Sequence, residues 1–176
     1  MALAADNYAY QESARKIAKL SFAIGVYRPP SEGGSASLLL RITENCPWNK
    51  CTFCEMYKGE PFVYRSTQEI KNDIDTVKII SEEIKTVSKK MGLGGRITRD
   101  VGMAILRADS SLNSNSCFIT VFNWLYSGGK TAFLQDADSM IMRPHELMTV
   151  LKYLREKLPS FIRVTSYARS KTLAHR

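Results

Sequence analysis

Three short apolar runs set the terms for this chain: "LLLRIT" (38–43), "TAFL" (131–134) and "FIRVTSYA" (161–168). Each has the length of a buried strand, and the stretches between them carry helical signals. A chain that returns from the end of one strand to the start of a parallel neighbour needs a connection of helix length. The alternation therefore predicts an α/β fold, parallel strands alternating with helices through right-handed crossovers. The longest connection, "STQEIKNDIDTVKIISEEIKTVSKK", opens with Ser66 and Glu69 at the spacing of a capping box. Its Ile70, Ile74, Val77, Ile80, Ile84 and Val87 recur at three and four residues and share one helical face. "GLGG" (92–95) is its stop. Residues 5–20, "RDVGMAILRA" (99–108), "CFITVFNWLYS" (117–127) and "PHELMTVLKYLREKL" (144–158) read as further helices, the last with Pro144 in its first turn and Pro159 as its stop. "YRPPSEGGSAS" (27–37) reads as a loop, because its prolines and glycines break both regular patterns.

That topology says where chemistry should gather. In parallel sheets the ligand site lies beyond the carboxyl ends of the strands. A loop with Cys46, Cys51 and Cys54 follows the first strand, and "QDADS" (135–139) follows the second. Two unusual segments are thus expected on one edge of one sheet.

The cysteines narrow the chemistry. The chain has four, and three fall within nine positions. Cys117 stands apart in an apolar stretch and reads as a small core hydrophobe. The N-terminus, "MALAADNYAYQESARKIAKL", lacks the pattern of a secretory signal, and no apolar run is long enough for a membrane span. A reducing cytoplasmic setting follows, in which clustered cysteines serve as metal ligands rather than disulfides. A structural zinc site wants four ligands. The spacing Cys-x4-Cys-x2-Cys supplies three, and the only histidines, His145 and His175, are far along the chain. An iron–sulfur cluster fits better, since three thiolates leave one iron open. A noncatalytic zinc- or cluster-binding module is the alternative.

The net charge of +8 is uneven: residues 143–176 carry eight basic side chains against Glu146 and Glu156. A basic face can contact nucleic acid. Without an arginine-rich run or an aromatic–basic ladder, the simpler reading is solvated helix faces.

"CPWNKCTFC", continued by "EMYKGEPF", resembles the cluster loop of the radical S-adenosylmethionine superfamily, with a first gap one residue longer than the usual Cys-x3-Cys-x2-Cys. Phe53 matches the aromatic position before the last cysteine. "YRPPSEGGSASLLLRITENCPW" and "FLQDADSM" further resemble an uncharacterised branch related to the Elongator catalytic subunit and to oxygen-independent coproporphyrinogen oxidase; the resemblance runs from about Tyr27 onward. It implies the N-terminal half of a partial (β/α)6 barrel, with residues 1–35 leading into a core at 36–176. It also implies that Cys46, Cys51 and Cys54 hold a [4Fe–4S] cluster whose open iron takes the amino and carboxylate groups of S-adenosylmethionine. Reductive cleavage of that cofactor, with an electron from a donor such as flavodoxin or ferredoxin, would give a 5′-deoxyadenosyl radical that abstracts a substrate hydrogen. Gln135, Asp136, Ala137 and Asp138 stand where the family often has Gly-Gly-Glu, so they are expected with Phe53 to contact the cofactor. The residues that would act on the substrate are not indicated. Trp48 is expected to shield the cluster, and Tyr57 to lie near the adenine or pack the loop. Lys58 and Arg65 would meet a cofactor carboxylate or sit at the surface, and His145 would be a surface residue. Only three strands are read, so the chain is expected to be part of a longer protein.

Overall fold

The computed structural model describes residues 2–26 and 37–174, with side chains from residue 10 onward. The loop expected at 27–37 lies outside the described residues except for Ser37, as does His175. In chain order the elements are α1 (Ala2–Ala18), β1 (Leu38–Arg41), β2 (Thr43–Glu44), β3 (Val63–Tyr64), α2 (Thr67–Lys90), α3 (Arg99–Ala108), α4 (Ser116–Tyr126), β4 (Thr131–Gln135), α5 (Pro144–Lys157), β5 (Arg163–Ser166) and α6 (Ser170–Ala174). Short 3-10 turns occupy Ser110–Ser114 and Ser139–Ile141.

The protein is α/β, with a three-stranded parallel sheet ordered β1-β4-β5. Leu38 to Arg41 run opposite Ala132 to Gln135, and Thr131 to Leu134 run opposite Arg163 to Ser166. The centre of β4 and most of β1 are buried, which is why both read as unbroken apolar runs. The first run does not stay in this sheet to residue 43. Ile42 N–H still donates to the Gln135 carbonyl, but Thr43 and Glu44 then pair antiparallel with Tyr64 and Val63. Two residues on each side form that ladder, too short to leave an alternation legible in sequence.

α2 is the organising helix. Ser66 caps it, accepting from Glu69 N–H while the Glu69 carboxylate accepts from Ser66 N–H. The six apolar residues of its expected face are all fully buried. They let α2 touch α1, α3, α4, α5 and β1. Ala14, Ile17 and Phe22 join the same core from the N-terminal side. No helix among the described residues is long and apolar enough to cross a membrane.

Arg65, just before this helix, is a structural tie rather than a surface residue. Its Nη1 donates to the Arg41 carbonyl at 2.7 Å and to Asp73 Oδ2 at 2.6 Å. Its side chain is 7% exposed and that of Asp73 is 11% exposed. Burial pushes the Asp73 carboxyl up from its ordinary range, and the Arg65 guanidinium opposes that shift. Replacing Arg65 by Met leaves a buried carboxylate with no counter-charge. The expected cost near neutral pH is about 3 kcal/mol. Asp73 then titrates further above its unfolded value, so the penalty is absent below the ordinary carboxylate range and grows as pH rises through the raised value. Urea unfolding of R65M at pH 4 and pH 7 should show the smaller loss at the lower pH. An equal loss at both would remove Asp73 from the account.

Candidate metal and cofactor site

The cysteine loop leaves the sheet at the carboxyl end of β1 and returns through β3, so the β2–β3 ladder closes its base. Two asparagines shape it. Asn45 and Asn49 adopt positive φ of 64° and 47°, a region Asn enters more easily than most residues. Asn45 Nδ2 donates to the Pro61 carbonyl at 2.7 Å. Asn49 Nδ2 donates to the carbonyls of Tyr57 and Glu60. Asn49 N–H also reaches Cys46 Sγ at 3.4 Å, and Cys54 N–H reaches the Cys51 carbonyl at 3.4 Å. The loop is thus braced by its own amides.

Cys46, Cys51 and Cys54 are all free thiols of intermediate exposure. Among the described residues no group of three Cys, His, Asp or Glu side chains is arranged to hold a metal ion, so the three thiols share the loop without converging. The donor set itself fits a cluster: three unpaired, reachable thiols with an open side. Metal binding commonly supplies the free energy that closes such a loop. Cys117 is buried as expected; its Sγ accepts from Phe22 N–H at 3.3 Å, and burial pushes its thiol up, which disfavours reactivity.

A cavity of about 750 Å³ opens between this loop and the edge of the sheet. It is lined by Phe53, Cys54, Glu55, Met56 and Tyr57 from the loop and by Phe133, Gln135, Asp136, Ala137 and Tyr167 from the ends of β4 and β5. Phe53, Cys54, Gln135, Asp136 and Ala137 were expected at one site, and the fold brings them together. Phe53 is 89% exposed, a large apolar ring held at the rim. Tyr57 is buried, and burial, followed by the Asp136 carboxylate, pushes its phenol up to about 12. It is therefore a neutral wall at any ordinary pH.

The segment after β4 differs from the expectation in two ways. Asp138 does not line the cavity. It is fully buried, and its Oδ2 accepts from Thr172 Oγ1 of α6 at 2.5 Å. Asp136 does line the cavity, but one of its oxygens is already committed. Oδ2 accepts from Arg41 Nε at 2.9 Å, Arg41 Nη2 at 2.8 Å and Asn45 N–H at 2.6 Å. The Gln135 carbonyl is taken by Ile42 N–H, and Gln135 Oε1 accepts from Gly25 N–H at 2.9 Å. Oδ1 of Asp136 is buried and has no hydrogen-bond partner.

Arg41, Asn45 and Gly25 are the site residues that sequence reasoning missed. Arg41 had a signal: it is the one charge in "LLLRIT", and a charge on a buried strand requires a partner. The other expected residues are structural or superficial. Trp48 is 44% exposed beneath the guanidinium of Arg169, and Lys58 and His145 are exposed. No family model, curated protein or solved structure matches this chain.

Gly25 passes so close to Asp136 that a Cβ there would meet Oδ1 at 2.0 Å. G25A should therefore displace the carboxylate from Arg41 and cost about 1–3 kcal/mol, as overpacking does elsewhere. Chemical denaturation measures the loss, and wild-type stability in G25A would show that the approach is not tight.

Proposed function

We propose that this chain belongs to a radical S-adenosylmethionine enzyme, its three parallel strands forming part of a partial (β/α)6 barrel. In this reading Cys46, Cys51 and Cys54 hold three irons of a [4Fe–4S] cluster, and the cavity beside Cys54 admits the cofactor. The observation that carries the reading is the coincidence of three free thiols, a cavity and the ends of β4 and β5 on one edge of a parallel sheet. Such an edge is where parallel sheets bind ligands.

When bound, cluster and cofactor together supply one-electron reductive cleavage of a sulfonium bond and hydrogen-atom abstraction from a substrate. The chain's own residues prepare the place for it. Phe53, Met56, Tyr57, Phe133 and Tyr167 give the cavity apolar and aromatic walls. Arg41 and Asn45 fix Asp136 through Oδ2, and its Oδ1 keeps lone pairs that could accept from a cationic or N–H-bearing group. Asp138 takes no part in that contact and holds α6 through Thr172.

Anaerobic reconstitution with iron and sulfide tests the reading. The expected result is about four irons and labile sulfide per chain, with S-adenosylmethionine perturbing the cluster spectrum. C46A, C51A and C54A should each lose the cluster, and C117A should keep it, because Cys117 is occupied with Phe22 in the core. Normal iron content in any of the first three variants overturns the ligand assignment. One zinc and no labile sulfide would establish a metal-binding module without this chemistry.

A further inference from the structure

A second cavity, of about 580 Å³, meets the cysteine loop at Trp48. Its walls are Trp48 of the loop, the stretch from Met140 to Pro144, and Arg169, Lys171 and Thr172 at α6. Three of these residues are cationic, and no carboxylate lines the cavity. Among the described residues Arg143, Arg169 and Lys171 form no ion pair within 4.0 Å. Asp138 is buried with its Oδ2 on Thr172, and Glu146 lines an adjoining cavity that Arg143 also borders, without forming an ion pair with it within 4.0 Å. The Arg169 guanidinium is held 4.8 Å from the centre of the Trp48 ring, and Lys50 Nζ lies 5.5 Å from it. The ring positions one of the cations without neutralising it.

Like charges gathered around one concavity repel one another and attract an anion. Elsewhere in the fold the buried cations, Arg41 and Arg65, each meet a carboxylate of the same chain. Among the described residues none is supplied here. The volume suits a small ligand or one group of a larger one. Two arginines and a lysine match the doubled charge and three terminal oxygens of a phosphomonoester better than the single charge of a carboxylate.

We propose that the cavity between Trp48 and α6 is a phosphate-binding site that takes a phosphomonoester group. It rests on these cations alone and stands whether or not the cysteines hold metal.

The test uses the whole chain without metal. Isothermal titration calorimetry with phenyl phosphate should show saturable binding of one molecule per chain, and phenol should not bind. R143Q/K171Q and R169Q should each weaken that binding at least about tenfold, the worth of a charge-assisted hydrogen bond. K85Q/R107Q, which removes the same charge from the exposed faces of α2 and α3, should leave it unchanged. Arg143 and Lys171 are exposed, so thermal melts of R143Q/K171Q should match wild type and separate lost binding from lost folding. A short single-stranded oligonucleotide without terminal phosphates checks the class of ligand. It should not displace phenyl phosphate, and competitive binding of the oligonucleotide at equal or higher affinity would overturn the phosphomonoester assignment. Absence of phenyl phosphate binding, or equal weakening in K85Q/R107Q, would reduce the feature to diffuse surface charge and overturn the proposal.

Discussion

One oxygen atom, Oδ2 of Asp136, ties the working edge of this protein together. It accepts two donors from Arg41 at the end of β1 and one from Asn45 at the start of the cysteine loop. The carboxylate itself follows directly from β4, so three separate segments converge on one acceptor. A buried charge pair of this kind adds little net stability, because both groups give up water to form it. Its value is positional: neither strand can slide, and the loop cannot swing out, without stranding a charge. Arg65 extends the arrangement by bonding the Arg41 carbonyl and Asp73 of α2. The organising helix, the first strand and the carboxyl edge of the sheet are therefore joined through two arginines.

Much of this fold can be read from sequence where a period repeats over several turns. α2 is the clearest case, since its apolar face recurs through six positions and its capping box is local in the chain. The parallel sheet also follows from short apolar runs spaced by helices. The β2–β3 ladder has no such signal, and its register depends on where the cysteine loop ends. The same limit governs the site. Cys54, Phe53 and the 135–137 segment announce themselves by residue type and by their place after strands. Gly25 comes from a segment 110 residues before Gln135, and only the assembled fold brings the two together. Asp138 shows the converse failure. Its neighbour two residues earlier lines the cavity, but the chain then turns into the Ser139–Ile141 segment, and Asp138 is carried inward to Thr172.

Arg65 and Arg169 illustrate why a basic residue near a candidate site says little by itself. Both flank the same edge and carry the same group. Arg65 is buried against Asp73 and is consumed by the fold. Arg169 lies against an aromatic face, which orients a guanidinium and leaves its charge uncancelled. The distinction depends on the partner, which no local pattern in "SYARSK" discloses. The same holds for the net charge of the C-terminal segment. It reads as solvated helix faces until the fold places Arg143, Arg169 and Lys171 around one concavity.

The cysteine loop forms a wall of both cavities, and their characters are opposite. Phe53 to Tyr57 face an apolar and aromatic space, whereas Trp48 faces a basic one. The positive-φ turns at Asn45 and Asn49 lie on either side of Trp48, and the Asn49 amide, bonded to Tyr57 and Glu60, holds the two halves of the loop against each other. The loop thus divides one short segment between two environments. Its own amides, which sequence alone presents as ordinary polar residues beside the cysteines, hold Trp48 and the stretch from Phe53 to Tyr57 in a fixed relation.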